Sequence, residues 1–167
     1  MTRPSLAPAP RRRALIAAAA TAAVVTALTV VAGPGTASAS DDSDVVLRTG
    51  IVGSSLGGPV LFGANPGGAP WQTDRGRVRL HADGDLDVRV RGLVIPTAPF
   101  NGTNPVPMLS ASLVCNGAVV ATTATVPFSA AGNARIQTQV ALPQPCLAPA
   151  VLIRPNASTT VYIAASG

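Results

Sequence analysis

Arg77-Val78-Arg79-Leu80-His81-Ala82-Asp83-Gly84-Asp85-Leu86-Asp87-Val88-Arg89-Val90-Arg91 decides the fold class. Its apolar residues recur at every second position. That is the period of a strand, whose successive side chains leave on opposite faces. Val78 and Leu80 alternate with Arg77, Arg79 and His81, then Leu86, Val88 and Val90 alternate with Asp85, Asp87, Arg89 and Arg91. Directly opposed residues of a hairpin share a face, so the register can be tested. A two-residue Asp83-Gly84 loop sets Leu80 against Asp87 and mixes the faces. A three-residue loop, Ala82-Asp83-Gly84, sets Leu80 against Leu86 and Val78 against Val88, with Gly84 in the left-handed position of a bulged turn. This register pairs His81 with Asp85 and Arg79 with Asp87 on the wet face. It leaves Arg77 opposite Arg89, a like-charge pair.

The same period runs through the rest of the chain. Val45 to Val52 reads as a strand, followed by a Gly/Pro-rich loop from Gly53 to Thr73 that holds the short apolar run Val60-Leu61-Phe62. Leu109, Ala111, Leu113 and Cys115 share one strand face, and Asn116-Gly117 is the signature of a type I′ turn into a return strand, Ala118 to Val126. Ala134 to Leu142 alternates with Ile136, Val140 and Leu142 inward and Arg135, Gln137 and Gln139 outward. Ala150 to Arg154 and Thr159 to Ala165 form a last hairpin around Pro155-Asn156. Seven to eight short strands with no helical period predict an all-β fold, an antiparallel β-sandwich of immunoglobulin-like architecture, with a small β-barrel as the alternative.

The N-terminal segment is read apart from the fold. Arg11-Arg12-Arg13, the uncharged run Ala14 to Ala32, the breakers Gly33-Pro34-Gly35 and the small Ala37-Ser38-Ala39 site make residues 1–39 a secretory signal peptide. Arg12-Arg13-Ala14-Leu15-Ile16 resembles a twin-arginine export signal. Residues 40–44 are a mobile acidic start, and residues 45–167 are one β-sandwich domain, with no membrane span left after cleavage. The protein is expected outside the cell or in the cell envelope. Composition without lysine or glutamate and rich in Ala, Arg, Gly and Pro suggests a bacterial, GC-rich source.

Cleavage also changes the charge argument. All twelve basic residues are arginine, and four leave with the signal, so eight arginines face seven aspartates from Ser40 onward. The near-neutral balance argues against a nucleic-acid partner, which needs a retained basic surface. Cys115 and Cys146, an even count in an exported chain, predict one disulfide.

Three constellations invite chemistry. Gly53-Ser54-Ser55-Leu56-Gly57 fits the nucleophile-elbow pattern, and Asp74 and His81 follow in triad order. A small secreted serine hydrolase would use Ser55 as nucleophile, His81 as base and Asp74 as the orienting carboxylate. The elbow needs a helix after the serine, however, and Gly58-Pro59 follows instead. His81, Asp83, Asp85 and Asp87 begin like a calcium loop, but Val88 stands where that loop needs glycine and the chain has no glutamate for its last ligand. No metal and no cofactor is therefore expected. Arg77, Arg79, Arg89 and Arg91 share one hairpin face and could grip phosphate or carboxylate groups of an anionic envelope polymer. Trp71, in the Gly/Pro-rich loop, is a second candidate contact, or a plug for one end of the core. The sequence thus predicts an exported, non-catalytic β-domain with a binding or structural role. Its partner would be an anionic cell-envelope polymer or another envelope protein.

Overall fold

The computed structural model describes residues 44–166. The predicted signal peptide and most of the acidic start lie outside them. Strands are β1 (Val45–Gly53), β2 (Asn65–Pro66), β3 (Arg75–His81), β4 (Asp85–Arg91), β5 (Met108–Cys115), β6 (Ala118–Thr122), β7 (Val126–Pro127), β8 (Ala134–Gln139), β9 (Ala150–Pro155), β10 (Val161–Tyr162) and β11 (Ala164–Ser166). No α-helix occurs among the described residues.

The decisive hairpin has the three-residue register. Leu80 faces Leu86, Val78 faces Val88, Arg79 faces Asp87 and Arg77 faces Arg89. Gly84, at φ 92°, takes the left-handed position, and its N–H donates to the His81 carbonyl at 3.0 Å. Asn116 (φ 55°) and Gly117 (φ 78°) form the second turn, which brings Ala118 opposite Cys115.

The strands join in the order β6-β5-β9-β11-β1-β3-β4-β8, and β7 pairs with β5. β1 belongs to both halves: Val45 to Gly50 pair with β3, and Ile51 to Gly53 pair with β11. Gly76 makes this changeover possible, because a Cβ there would come within 2.3 Å of the Ile51 Cβ. The result is one antiparallel sheet curled into a half-barrel. An immunoglobulin-like strand order is not established by this pairing. In that sandwich the second and third strands lie in different sheets, whereas β3 and β4 are hydrogen-bonded neighbours.

The concave side is filled by Val78 and Leu80, by Leu86, Val88 and Val90, and by Leu109, Leu113, Ile136, Val151 and Ile153, all buried. Burying a side chain of this size stabilises by about 1.5–3 kcal/mol. The Cys115–Cys146 disulfide closes the end of β5 onto the 143–149 loop, with a Cα–Cα separation of 4.9 Å. Asn116 holds the same loop: its Nδ2 donates to the Pro145 carbonyl at 3.0 Å, and its Oδ1 accepts from the Leu147 N–H at 2.8 Å.

Within the Gly/Pro-rich loop, Val60 to Phe62 leads into a tight turn, Leu61 and Ala64 exchanging two hydrogen bonds of 2.9 Å. Two expected elements differ. The return strand stops at Thr122, after a register shift between Leu113 and Val114. The last strand splits into β10, which leaves to pair in parallel with β2, and β11, which pairs with β9. The cause of that split is Arg154. It is 2% exposed, and its guanidinium donates to the Thr159 carbonyl at 2.8 Å and the Val161 carbonyl at 3.5 Å. Those carbonyls are thereby turned out of the ladder with β9. The disulfide fits an oxidising, extracellular environment, and no helix among the described residues is long and apolar enough to cross a membrane.

Candidate anion-binding face

The convex side of β1, β3, β4 and β8 is built by the alternation itself. Each buried Val, Leu or Ile places the next residue outward. The outward residues are largely arginines, and the pairing lines them up in rows. Arg75 lies opposite Arg91. In the next row Gly50, Arg77, Arg89 and Arg135 follow one another across the four strands. In the third, Arg48, Arg79, Asp87 and Gln137 do so. Seven of the eight arginines that follow Ser40 therefore stand on one face. The eighth, Arg154, is buried on β9.

Only one carboxylate stands inside these rows. Asp87 accepts from Arg89 Nε at 3.2 Å and from Arg135 Nη2 at 2.9 Å, and from Arg89 Nη2 at 3.2 Å. Partial burial pushes the Asp87 carboxyl up, but the hydrogen bonds and charges of Arg135 and Arg89 outweigh it and hold the group below its ordinary range. Arg75, Arg77 and Arg91 have no ion pair among the described residues. With Arg89 they line one open depression. Arg77, Arg79, Asp87 and Arg89 line the next. Arg79 is half-buried, and its Nε makes no hydrogen bond among the described residues.

The expected quartet Arg77, Arg79, Arg89 and Arg91 is thus together on one face. Sequence reasoning missed Arg48, Arg75 and Arg135 as members of it. Arg75 continues the two-residue period, but Gly76 interrupts the apolar positions. Arg48 and Arg135 join only through pairing between β1 and β3 and between β4 and β8, which local pattern does not encode. The near-neutral balance of charges concealed the patch for a related reason. Of the other described aspartates, Asp85 stands one row beyond Asp87, opposite Gln139, Asp83 lies in the turn, where its Oδ1 accepts from the Asp85 N–H at 3.0 Å, and Asp74 lies against Gly92.

The triad candidates are not brought together. His81 ends β3 opposite Val45, at the start of β1, while Ser55 follows Gly53, at its end. Eight residue steps of β-strand separate the two ends, roughly 26 Å. Asp74 precedes Arg75, at the Ser55 end of the sheet. Ser55 and Asp74 are both exposed. The His81, Asp83, Asp85, Asp87 series does not converge either: no three His, Cys, Asp or Glu side chains among the described residues form a metal-binding group.

Trp71 is 6% exposed and packs in the core cluster. Its backbone N–H donates to the Ser54 carbonyl at 2.8 Å. It lines an open apolar depression with Ile95, Phe100, Val106 and Ile163. No protein-family model, no curated protein and no solved structure matches this chain.

Proposed function

We propose that this protein is an exported, non-catalytic β-domain that binds an anionic polymer of the cell envelope through the arginine face of β1, β3, β4 and β8. The observation that carries the proposal is the collection of seven arginines on one solvent face around a single enclosed carboxylate. Guanidinium groups in fixed rows bind oxyanions by paired, charge-assisted hydrogen bonds. Export rests on the signal-peptide pattern of residues 1–39, and the disulfide suits the destination. The hydrolase alternative needs Ser55 and His81 within hydrogen-bond reach of each other, which the length of β1 opposes.

Sedimentation of the purified protein with isolated cell envelopes tests the proposal. Co-sedimentation should fall steeply when Arg77, Arg79, Arg89 and Arg91 are all replaced by Gln, and with added salt. Undiminished co-sedimentation of that variant would refute it. A second reading, association with another envelope protein, is favoured by the edge strand β6, where Val119 is 40% and Val120 38% exposed. Capture that survives loss of the four arginines but not a charge placed at Val120 would select it.

A further inference from the structure

The proposed polymer site can be narrowed to a ligand chemistry. We infer that Arg75, Arg77, Arg89 and Arg91 form a phosphate site and that the polymer held there is a phosphodiester chain without bases. The inference rests on the anionic-polymer proposal and deepens it.

Two cross-strand arginine pairs, Arg75 with Arg91 and Arg77 with Arg89, lie in consecutive outward rows. Opposed residues of an antiparallel pair are about 4.5–5.5 Å apart at Cα, and outward rows repeat at about 6.7 Å along the strands. Four guanidinium groups therefore rise from a patch little larger than one phosphate and its neighbour. Like charges in direct opposition destabilise a sheet, so an unfilled quartet is the costly state. The nearest carboxylate in the rows, Asp87, is already held by Arg89 and Arg135, and the Asp74 carboxylate lies against Gly92. Arg75, Arg77 and Arg91 are left for an external anion.

The geometry distinguishes among anions. A carboxylate has two oxygens whose lone pairs lie in one plane, and it accepts best from forks that approach in that plane. A phosphate presents oxygens in several directions and accepts from forks on both strands together. The face is open, and its rows continue to Arg79 and Arg135, which suits a chain of repeating charges. No Phe, Tyr or Trp occurs in β1, β3, β4 or β8. The stacking platforms that hold single-stranded nucleic acids are therefore missing from this face.

The test measures binding of three probes to the purified protein: poly(glycerol phosphate), polyglutamate of equal charge, and phosphatidylglycerol vesicles. Poly(glycerol phosphate) should bind about tenfold more tightly than either of the others. The R75Q/R91Q variant should lose about tenfold in affinity and flatten the salt dependence by about one unit of slope per arginine removed. D87N should bind several-fold more tightly, because it frees Arg89 and Arg135 and removes the repelling charge. Thermal unfolding confirms that both variants are folded. Equal binding of polyglutamate, preference for vesicles, or an R75Q/R91Q variant with unchanged affinity would each overturn the phosphate site. Envelope co-sedimentation lost in the four-arginine variant would still leave the broader proposal standing in those cases.

Discussion

Arg77 on β3 and Arg89 on β4 stand directly opposite each other, between inward-facing rows formed by Val78 with Val88 and by Gly76 with Val90. The core requirement of their neighbours holds the two guanidinium groups side by side. Replacing Arg77 by Thr, a good strand former, removes the repulsion and keeps the strand. The melting temperature in low salt should rise by about 2 °C. The gain should vanish near 1 M salt, where the screening length is only about 3 Å. A lower melting temperature would mean that Arg77 supports the fold rather than taxing it.

Asp87 links acid stability to this face. Its carboxyl is held below its ordinary range in the folded protein, against its partial burial, by Arg135 and Arg89. The folded state therefore binds this proton less readily than the unfolded state. The stabilisation is complete above the ordinary carboxylate range and is lost as pH falls through the lowered value. Melting temperature measured from about pH 5 down to pH 2 should fall further for the natural protein than for D87N. Parallel curves would show that Asp87 contributes nothing to acid unfolding.

Arg154 is a buried cation without a carboxylate partner among the described residues. Burial pushes its guanidinium down from its ordinary value. Its Nε donates to Ser112 Oγ at 2.6 Å and its Nη1 to the Thr159 carbonyl at 2.8 Å. Arg154→Ala would leave the Thr159 carbonyl without this donor, and Ser112 Oγ with Thr122 Oγ1 alone, beside a cavity. A loss of about 3 kcal/mol or more in denaturant unfolding is expected. Arg154→Lys, which keeps the charge but not the fork, should fall between the two. An Ala variant as stable as the natural protein would remove Arg154 from the structural account of the β10–β11 split.

Phe62 occupies a left-handed position, at φ 48°, in the two-residue turn with Gly63 at φ 78°. Such turns favour Asn-Gly, and a bulky residue there is strained. Phe62 is also 43% exposed, so little packing offsets that strain. Phe62→Asn should stabilise the protein by about 1 kcal/mol. Destabilisation on denaturant unfolding would show that the ring packs more tightly than its exposure indicates.

Reduction should expose how much the loop depends on its bond. Cys115 and Cys146 are 31 residues apart, and the chain-entropy estimate for such a loop is about 3–4 kcal/mol. The C115S/C146S variant should lose close to that amount. A smaller loss would credit Asn116, whose side chain holds the same loop through Pro145 and Leu147.

The local elements were legible in the sequence because their causes are local. The Arg77 to Arg91 register follows from a two-residue period and one glycine, and the Asn116-Gly117 turn follows from two residues that accept positive φ. The inward faces of β3, β4 and β8 follow from the same period. Pairing between distant strands was not legible, because a strand's edge hydrogen bonds carry no side-chain label. Only the tertiary structure decided that β4 pairs with β8 and that β1 serves two neighbours. It thereby placed Arg48 and Arg135 beside the hairpin arginines, put β1's length between Ser55 and His81, and buried Arg154 beneath the last turn. Composition determined how many charges the protein carries. The curl of the sheet determined that seven of them face the same solvent, since residues far apart in the chain become neighbours only when their strands pair.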